Sequence, residues 1–221
     1  NDSMNMKYSD MVDYYTMWVH QIKTPIASMH LTLQKEDSED SRRLRTELFR
    51  VEQYVQMVLC FLRLDSDFTD YVIKEYRVDD IIRPAVRRLA PQFIMKKLSL
   101  EYEQTDEVAL TDEKWLGFVV EQVLSNAVKY TSAGSISIKC DGDRLVISDT
   151  GIGIAAEDLP RIFDKGYTGF NGRADRKASG IGLYLCRRIC DNLGHSIKAE
   201  SVPGHGTTII IGLERDKLEV E

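Results

Sequence analysis

The sequence predicts a two-part fold: an all-α helical hairpin that dimerises into a four-helix bundle, followed by an α+β sandwich. Three observations predict it. Leu44, Leu48, Val51, Val55, Val58 and Leu62 recur at alternating spacings of four and three, the heptad seam of a coiled coil or bundle. From about residue 72 that rhythm gives way to helical patterns alternating with short strands. The 221 residues also suffice for two modest domains. This reading places a dimerisation hairpin at 1–66, a linker at 67–74 and the sandwich at 75–221.

In the first helix Met11, Tyr15, Trp18, Ile22 and Met29 follow the heptad, with Pro25 in the intervening slot. The polar stretch from Lys35 to Ser41 joins the two helices and is rich in helix-starting residues. Two helices bury little apolar surface alone, so a second copy is expected to complete the bundle. In the second half, Val78 to Lys96 reads as a helix started by Asp79 or Asp80. Leu98 to Tyr102 and Glu107 to Leu110 read as strands, and Asp112 to Tyr130 as a long apolar helix. Ser135 to Cys140 and Arg144 to Ser148 form a hairpin around Asp141-Gly142-Asp143. Gly182 to Leu193 is a helix, and Ser196 to Ser201 and Thr207 to Leu213 close the sheet.

Composition narrows the function classes. The chain is 43% hydrophobic and 29% charged with a net charge of −6, which argues against nucleic acid as a partner. No apolar run approaches the roughly 18 residues of a membrane span, and no secretory signal is visible. Cys60, Cys140, Cys186 and Cys190 show no CxxC spacing and read as reduced thiols.

Five segments carry chemistry. Trp18-Val19-His20-Gln21-Ile22-Lys23-Thr24-Pro25 sets a histidine in a helix five residues before a proline. That proline removes the backbone donor to Gln21 and marks an expected bend. With Trp18 and Ile22 on the seam, His20 sits about 200° round the helix and faces outward, with Thr24 on its face. In the second half, Gln122, Asn126, Lys129 and Tyr130 share one helix face. Their amide oxygens suit Mg²⁺ and Lys129 suits a phosphate. Asp149-Thr150-Gly151-Ile152-Gly153 follows a strand; its glycines allow close backbone approach, and Asp149 can accept from an adenine amino group. Ser179-Gly180-Ile181-Gly182-Leu183 opens a helix and offers N–H groups to phosphates. Gly204-His205-Gly206-Thr207 turns between two strands. Between the third and fourth of these lies a loop, roughly 155–179, with Gly166, Gly169 and Gly172 and the cations Arg161, Lys165, Arg173, Arg176 and Lys177. It reads as a lid, with Phe163 docking it to the body. His30 and His195 carry no motif and read as structural.

In this order the segments resemble the ATP-binding fold shared by sensor histidine kinases, DNA gyrase, Hsp90 and MutL, the GHKL or Bergerat-type sandwich. The His20 segment resembles the phosphoacceptor motif of bacterial two-component histidine kinases. Val19 to Pro25 and Glu121 to Asn126 are most similar to the membrane kinases that sense envelope stress and antimicrobial peptides. The resemblance implies ATP and Mg²⁺ as cofactors, and His20 as the residue that takes the γ-phosphoryl group and passes it to an aspartate of a response regulator receiver domain. It implies Asn126 and Gln122 as Mg²⁺ ligands and Asp149 as the adenine reader supported by Thr207. Gly151, Gly153, Lys129, Tyr130 and Lys165 would also meet ATP, and the amides of Gly180, Ile181, Gly182 and Leu183 would hold phosphate. It implies a homodimer, the cytoplasmic portion of a cell-membrane protein, and a peptide-transporting ABC transporter as a partner of the full-length system.

Two residues depart from that pattern. Gln21 stands where many such kinases carry Glu or Asp; an amide orients imidazole but is no base near neutral pH. Gln122 stands where asparagine is usual. Thr24 matches the position that orients water in regulator dephosphorylation, which leaves a phosphatase activity open. A hydrolytic machine of the gyrase or Hsp90 kind needs a carboxylate at Gln122, and Glu121 points about 100° away. A non-catalytic nucleotide-binding scaffold needs no outward histidine.

Overall fold

The computed structural model describes residues 2–35, 38–64, 71–169 and 179–214. The chain divides into two compact units, Asn1–Asp70 and Tyr71–Glu221.

The first unit is a helical hairpin of α1 (Asp2–Gln34) and α2 (Glu39–Leu64). Ser38 starts α2: its Oγ accepts from Ser41 N at 3.1 Å, and Glu39 and Asp40 fill the first turn. Within the hairpin α1 buries Val19 and Ile26, with Ile22, His30 and Leu33 half-buried between and after them. On α2 the matching row is Ser41, Leu48, Leu59 and Leu62. The expected seam is thus shifted round both helices. Trp18 is 43% and Val58 45% exposed, and Met11, Tyr15, Met29, Leu44 and Val51 are exposed with them. The physical reason is width: each helix carries more apolar residues than one seam needs, and the hairpin covers only one edge of that face. His30 belongs to the covered edge, with Nε2 3.2 Å from Glu52 Oε1.

Pro25 does not interrupt α1, which runs 33 residues through it. Thr24 Oγ1 reaches back to the His20 carbonyl at 3.5 Å.

The second unit holds a five-stranded sheet in the order β2-β4-β5-β7-β6. Its strands are β2 (Ser99–Tyr102), β4 (Ser135–Asp141), β5 (Arg144–Asp149), β6 (Ser196–Val202) and β7 (Gly206–Gly212). Only β2 and β4 run parallel. The registers align Ile138, Ile147 and Ile209 in one row, and Leu145, Ile211 and Ile197 in another. All six are buried, forming one apolar sheet face. Helices α3 (Val78–Lys96), α4 (Glu113–Tyr130) and α5 (Gly182–Leu193) complete the core through buried residues such as Leu89, Leu124 and Leu185. The turn between β4 and β5 uses Gly142 at φ 60°.

A second, two-stranded sheet was not legible as such. β1 (Lys74–Arg77) pairs antiparallel with β3 (Val108–Thr111), so a strand occupies Lys74 at the end of the expected linker. Tyr71 anchors the start of the unit: its ring lies 5.4 Å from that of Trp115, and its hydroxyl accepts from Asn192 Nδ2 at 2.8 Å. Asp112 caps α4 as its sequence position suggests, accepting from Lys114 N at 2.9 Å and Trp115 N at 3.1 Å. Asp79 does not cap α3. It is buried and accepts from Tyr102 Oη at 2.5 Å, Thr105 N at 3.1 Å and Arg83 at 2.7 Å. Burial pushes its carboxyl up, but these three donors outweigh burial and hold it below the usual value.

Candidate functional site

Side-chain alternation along β5 puts Leu145, Ile147 and Asp149 on one face. The first two are buried; Asp149 ends the strand at the rim of the core. Its Oδ1 accepts from Gly151 N at 2.8 Å and from Thr207 N at 3.3 Å. Burial pushes the carboxyl above its ordinary value of 3.8, while the Gly151 and Thr207 amides and the Thr131 hydroxyl pull it back in part. The result is a half-buried carboxylate with one oxygen held by the backbone.

The glycines around it are required by close approach. A Cβ at Gly151 would sit 2.5 Å from Tyr130 O and 2.8 Å from Asp149 Oδ1. Gly206, at φ 103°, would drive one into the Asp149 carbonyl. Gly153 packs in the same way on the Val202 carbonyl. Ser201 ties these turns together: Oγ donates to Gly206 O at 2.7 Å, accepts from Ile154 N at 2.8 Å and lies 3.0 Å from Thr207 Oγ1.

Gln122, Asn126, Lys129 and Tyr130 lie half-buried along α4, spanning about 12 Å of helix. At the far end Tyr130 O accepts from Ile152 N at 3.2 Å, and Lys129 Nζ lies 4.9 Å from the Tyr130 ring centroid. At the near end the Gln122 amide packs on Gly182, where a Cβ would meet its Nε2 at 2.5 Å. That contact brings the start of α5 against α4. Among the described residues no side chain caps α5 at Ile181, which leaves its first N–H groups at the helix end, as an anion site requires.

Gly166 N donates to Gly180 O at 2.9 Å, which draws the segment of Lys165 to the turn before α5. Lys165 itself is exposed. Arg161 is engaged locally, 4.3 Å from the Tyr167 ring and 3.4 Å from Asp164. Phe163 lies under Arg187, 5.9 Å from its guanidinium carbon. Gly172, Arg173, Arg176 and Lys177 lie outside the described residues.

In the first unit, His20, Gln21 and Thr24 are exposed on α1, although Trp18, which the heptad set in the core opposite His20, is exposed as well. Two further histidines lie in the second unit. His195 is 5% exposed with Nε2 2.9 Å from Thr111 Oγ1, and His205 lies exposed in the β6–β7 turn. All four cysteines are free thiols.

Three residues near the site carried no sequence signal: Thr131, Ser201 and Lys96. Thr131 merely follows the helix, Ser201 is placed by its register with Thr207, and Lys96 reaches α4 from another helix.

Residues 111–217 match the family model described as histidine kinase-, DNA gyrase B- and HSP90-like ATPase. The sensor histidine kinase YxdK of Bacillus subtilis is 34% identical over 210 residues, covering 92% of this chain and 65% of that protein. The sensor protein BceS of Halalkalibacterium halodurans is 35% identical over 206 residues, covering 90% of this chain and 61% of that protein. The sensor histidine kinase GraS of Staphylococcus haemolyticus is 34% identical over 204 residues, covering 89% and 59%. The chain therefore spans about three fifths of these relatives. Among solved structures, ShkA in complex with AMPPNP matches at TM-score 0.62 and 21% identity over 93% of this chain and 47% of that one. Acinetobacter baumannii AdeS matches at 0.60 and 19% over 90% and 98%; both likenesses concern the fold. No helix among the described residues is long and apolar enough to cross a membrane. The chain is thus similar over about nine tenths of its length to bacterial sensor histidine kinases, and residues 111–217 of its second unit match the ATPase domain that these kinases share with DNA gyrase B and HSP90.

Proposed function

We propose that this chain is the catalytic portion of an ATP-dependent protein-histidine kinase that phosphorylates its own His20. The observation that carries the reading is the Asp149 site: a carboxylate held by Gly151 and Thr207, at one end of a polar α4 face whose other end meets the uncapped start of α5. Asp149 accepts the exocyclic amino group of adenine. Tyr130 packs on the base or ribose, with Lys129 beside it. Gly153 keeps the turn after Asp149 close to the ligand. The amides of Gly180, Ile181, Gly182 and Leu183 face the phosphates, with Lys165 nearby.

The reaction is positioning and charge neutralisation. An imidazole nitrogen of His20 attacks the γ-phosphorus. The bond to the ADP oxygen breaks, ADP leaves, and the exposed ring gives up its proton to solvent water. Gln21 orients the imidazole without taking that proton. The phosphoryl group then passes to a receiver-domain aspartate, and Thr24, one turn past His20, orients water where the kinase also dephosphorylates the regulator. Gln122 and Asn126 fit Mg²⁺ by donor chemistry, since they supply amide oxygens to an ion that keeps phosphate and water ligands. When bound, that ion neutralises triphosphate charge.

The exposed apolar row of Trp18, Leu44, Val51 and Val58 supports a homodimer closed into a four-helix bundle. The relatives' added length supports a place as the cytoplasmic portion of a membrane protein, and a peptide-transporting ABC transporter fits as the sensory partner. The test is incubation with γ-labelled ATP and Mg²⁺. Acid-labile, alkali-stable label that disappears in His20→Ala is expected. Release of free phosphate without protein label overturns the reading in favour of an ATPase.

A further inference from the structure

We propose that Lys96 is a positioning residue for nucleotide binding, setting the last turn of α4 where Tyr130 and Thr131 border Asp149. This rests on the nucleotide-site reading above. Lys96 is the last residue of α3. Its Nζ lies 2.5 Å from Val128 O, 3.0 Å from Lys129 O and 3.0 Å from Thr131 O. An ammonium has three donors, and here three carbonyls of one helix end surround it. Val128 O and Lys129 O are among the carbonyls a helix leaves without intrahelical partners, at the negative end of its dipole, and Thr131 is the C-cap residue of α4.

The same turn is the wall of the site. Tyr130 O accepts from Ile152 N at 3.2 Å. Gly151 sits so close to Tyr130 O and the Thr131 hydroxyl that a Cβ would come within 2.5 Å and 2.9 Å of them. The end of α4 is therefore gripped from two sides, by Lys96 from α3 and by the turn after Asp149. The grip starts from a fixed point. Lys97 N donates to Ile94 O at 3.1 Å and Leu98 N to Phe93 O at 3.0 Å, which closes the end of α3 directly behind Lys96. Lys96 acts through Tyr130 and Thr131, so it bears on adenine rather than on phosphate.

The series Lys96→Arg, Lys96→Gln and Lys96→Met tests this on the whole chain. Calorimetry reads ADP and adenosine affinity at a temperature well below each melting point, and labelling reads kcat and KM for ATP. Removing the ammonium in Lys96→Met is expected to weaken ADP and adenosine by the same factor, about tenfold. Lys96→Arg is expected to stay within about threefold of the parent, because it keeps charge and donors. Lys96→Gln falls between, and kcat moves by less than about twofold. If Lys96→Met fails to fold, the Arg and Gln variants carry the comparison. Equal affinity across the folded variants overturns the proposal, as does an Arg variant as weak as the Met or Gln one. A parent chain that binds no ADP overturns the nucleotide reading and this inference with it. A parent that binds ADP with a flat Lys96 series overturns this inference alone.

Discussion

Thr207 and Asp149, 58 residues apart, are joined through the backbone of one and the side chain of the other: Thr207 N–H donates to Asp149 Oδ1 at 3.3 Å. The link survives any side chain at 207 that keeps the strand, and it depends on the glycine before it.

Substitutions at these neighbours should therefore separate. Thr207→Ala loses only the hydroxyl contact with Ser201, at 3.0 Å, and is expected to cost about 0.5–1.5 kcal/mol. Gly206→Ala must leave a φ of 103° and clear the Asp149 carbonyl, and is expected to cost more than about 3 kcal/mol. Urea melts of the two variants measure the difference. Equal, small losses would show that the β7 start relaxes freely.

The raised Asp149 carboxyl sets a pH dependence of opposite sign for binding and for stability. If Asp149 reads adenine as proposed, recognition needs the carboxylate, so ADP affinity should fall as pH drops through a midpoint above the ordinary 3.8. For the empty fold, a raised carboxyl contributes stability below the unfolded value that is lost as pH rises through the folded value. Asp149→Asn should thus weaken ADP about tenfold or more near neutral pH and flatten the binding profile. It should leave the empty protein at least as stable at pH 7. Calorimetric titrations from pH 4 to 8, with melts at each pH, check both signs.

Gln21 lies exposed beside His20 on α1, with no steric reason to exclude a carboxylate. Gln21→Glu supplies the proton acceptor that an amide lacks, and should raise the initial autophosphorylation rate about tenfold or more. An unchanged rate would locate the slow step elsewhere.

Lys97 ends α3 in the left-handed region at φ 56°, the only non-glycine residue with positive φ among those described. A Cβ there costs about 1 kcal/mol. Lys97→Gly should recover about that much at the helix end, read as a rise in urea midpoint with an unchanged slope. Its side chain makes no contact that the site uses, so ADP affinity should not move.

Much of the fold was legible because the signals are local. The isoleucine and leucine alternation of β4 to β7, the Gly142 turn and the Asp112 cap all act within a few residues. β1 was not legible, because Lys-Glu-Tyr-Arg carries no apolar alternation and forms only by pairing with Val108 to Thr111. Asp79 was misread as a cap because an acidic residue in a first turn looks the same whether it faces its own helix or, as here, Tyr102 on the adjacent strand.

By itself the sequence read His20 as outward from the heptad, and the structure exposes it, although Val19 and Ile26 rather than the Trp18 row meet α2. It also marked the turns where backbone is closely approached, since DxGxG and GxGL put glycines at positions where a Cβ would clash. Only the tertiary structure decided which edge of α1 meets α2, for a wide apolar face admits more than one packing. It alone decided that Thr207 N–H reaches Asp149, that Gln122 rests on Gly182, and that Lys96 grips the end of α4. Each of these contacts joins residues more than 30 positions apart, and no pattern within one element encodes its partner in another.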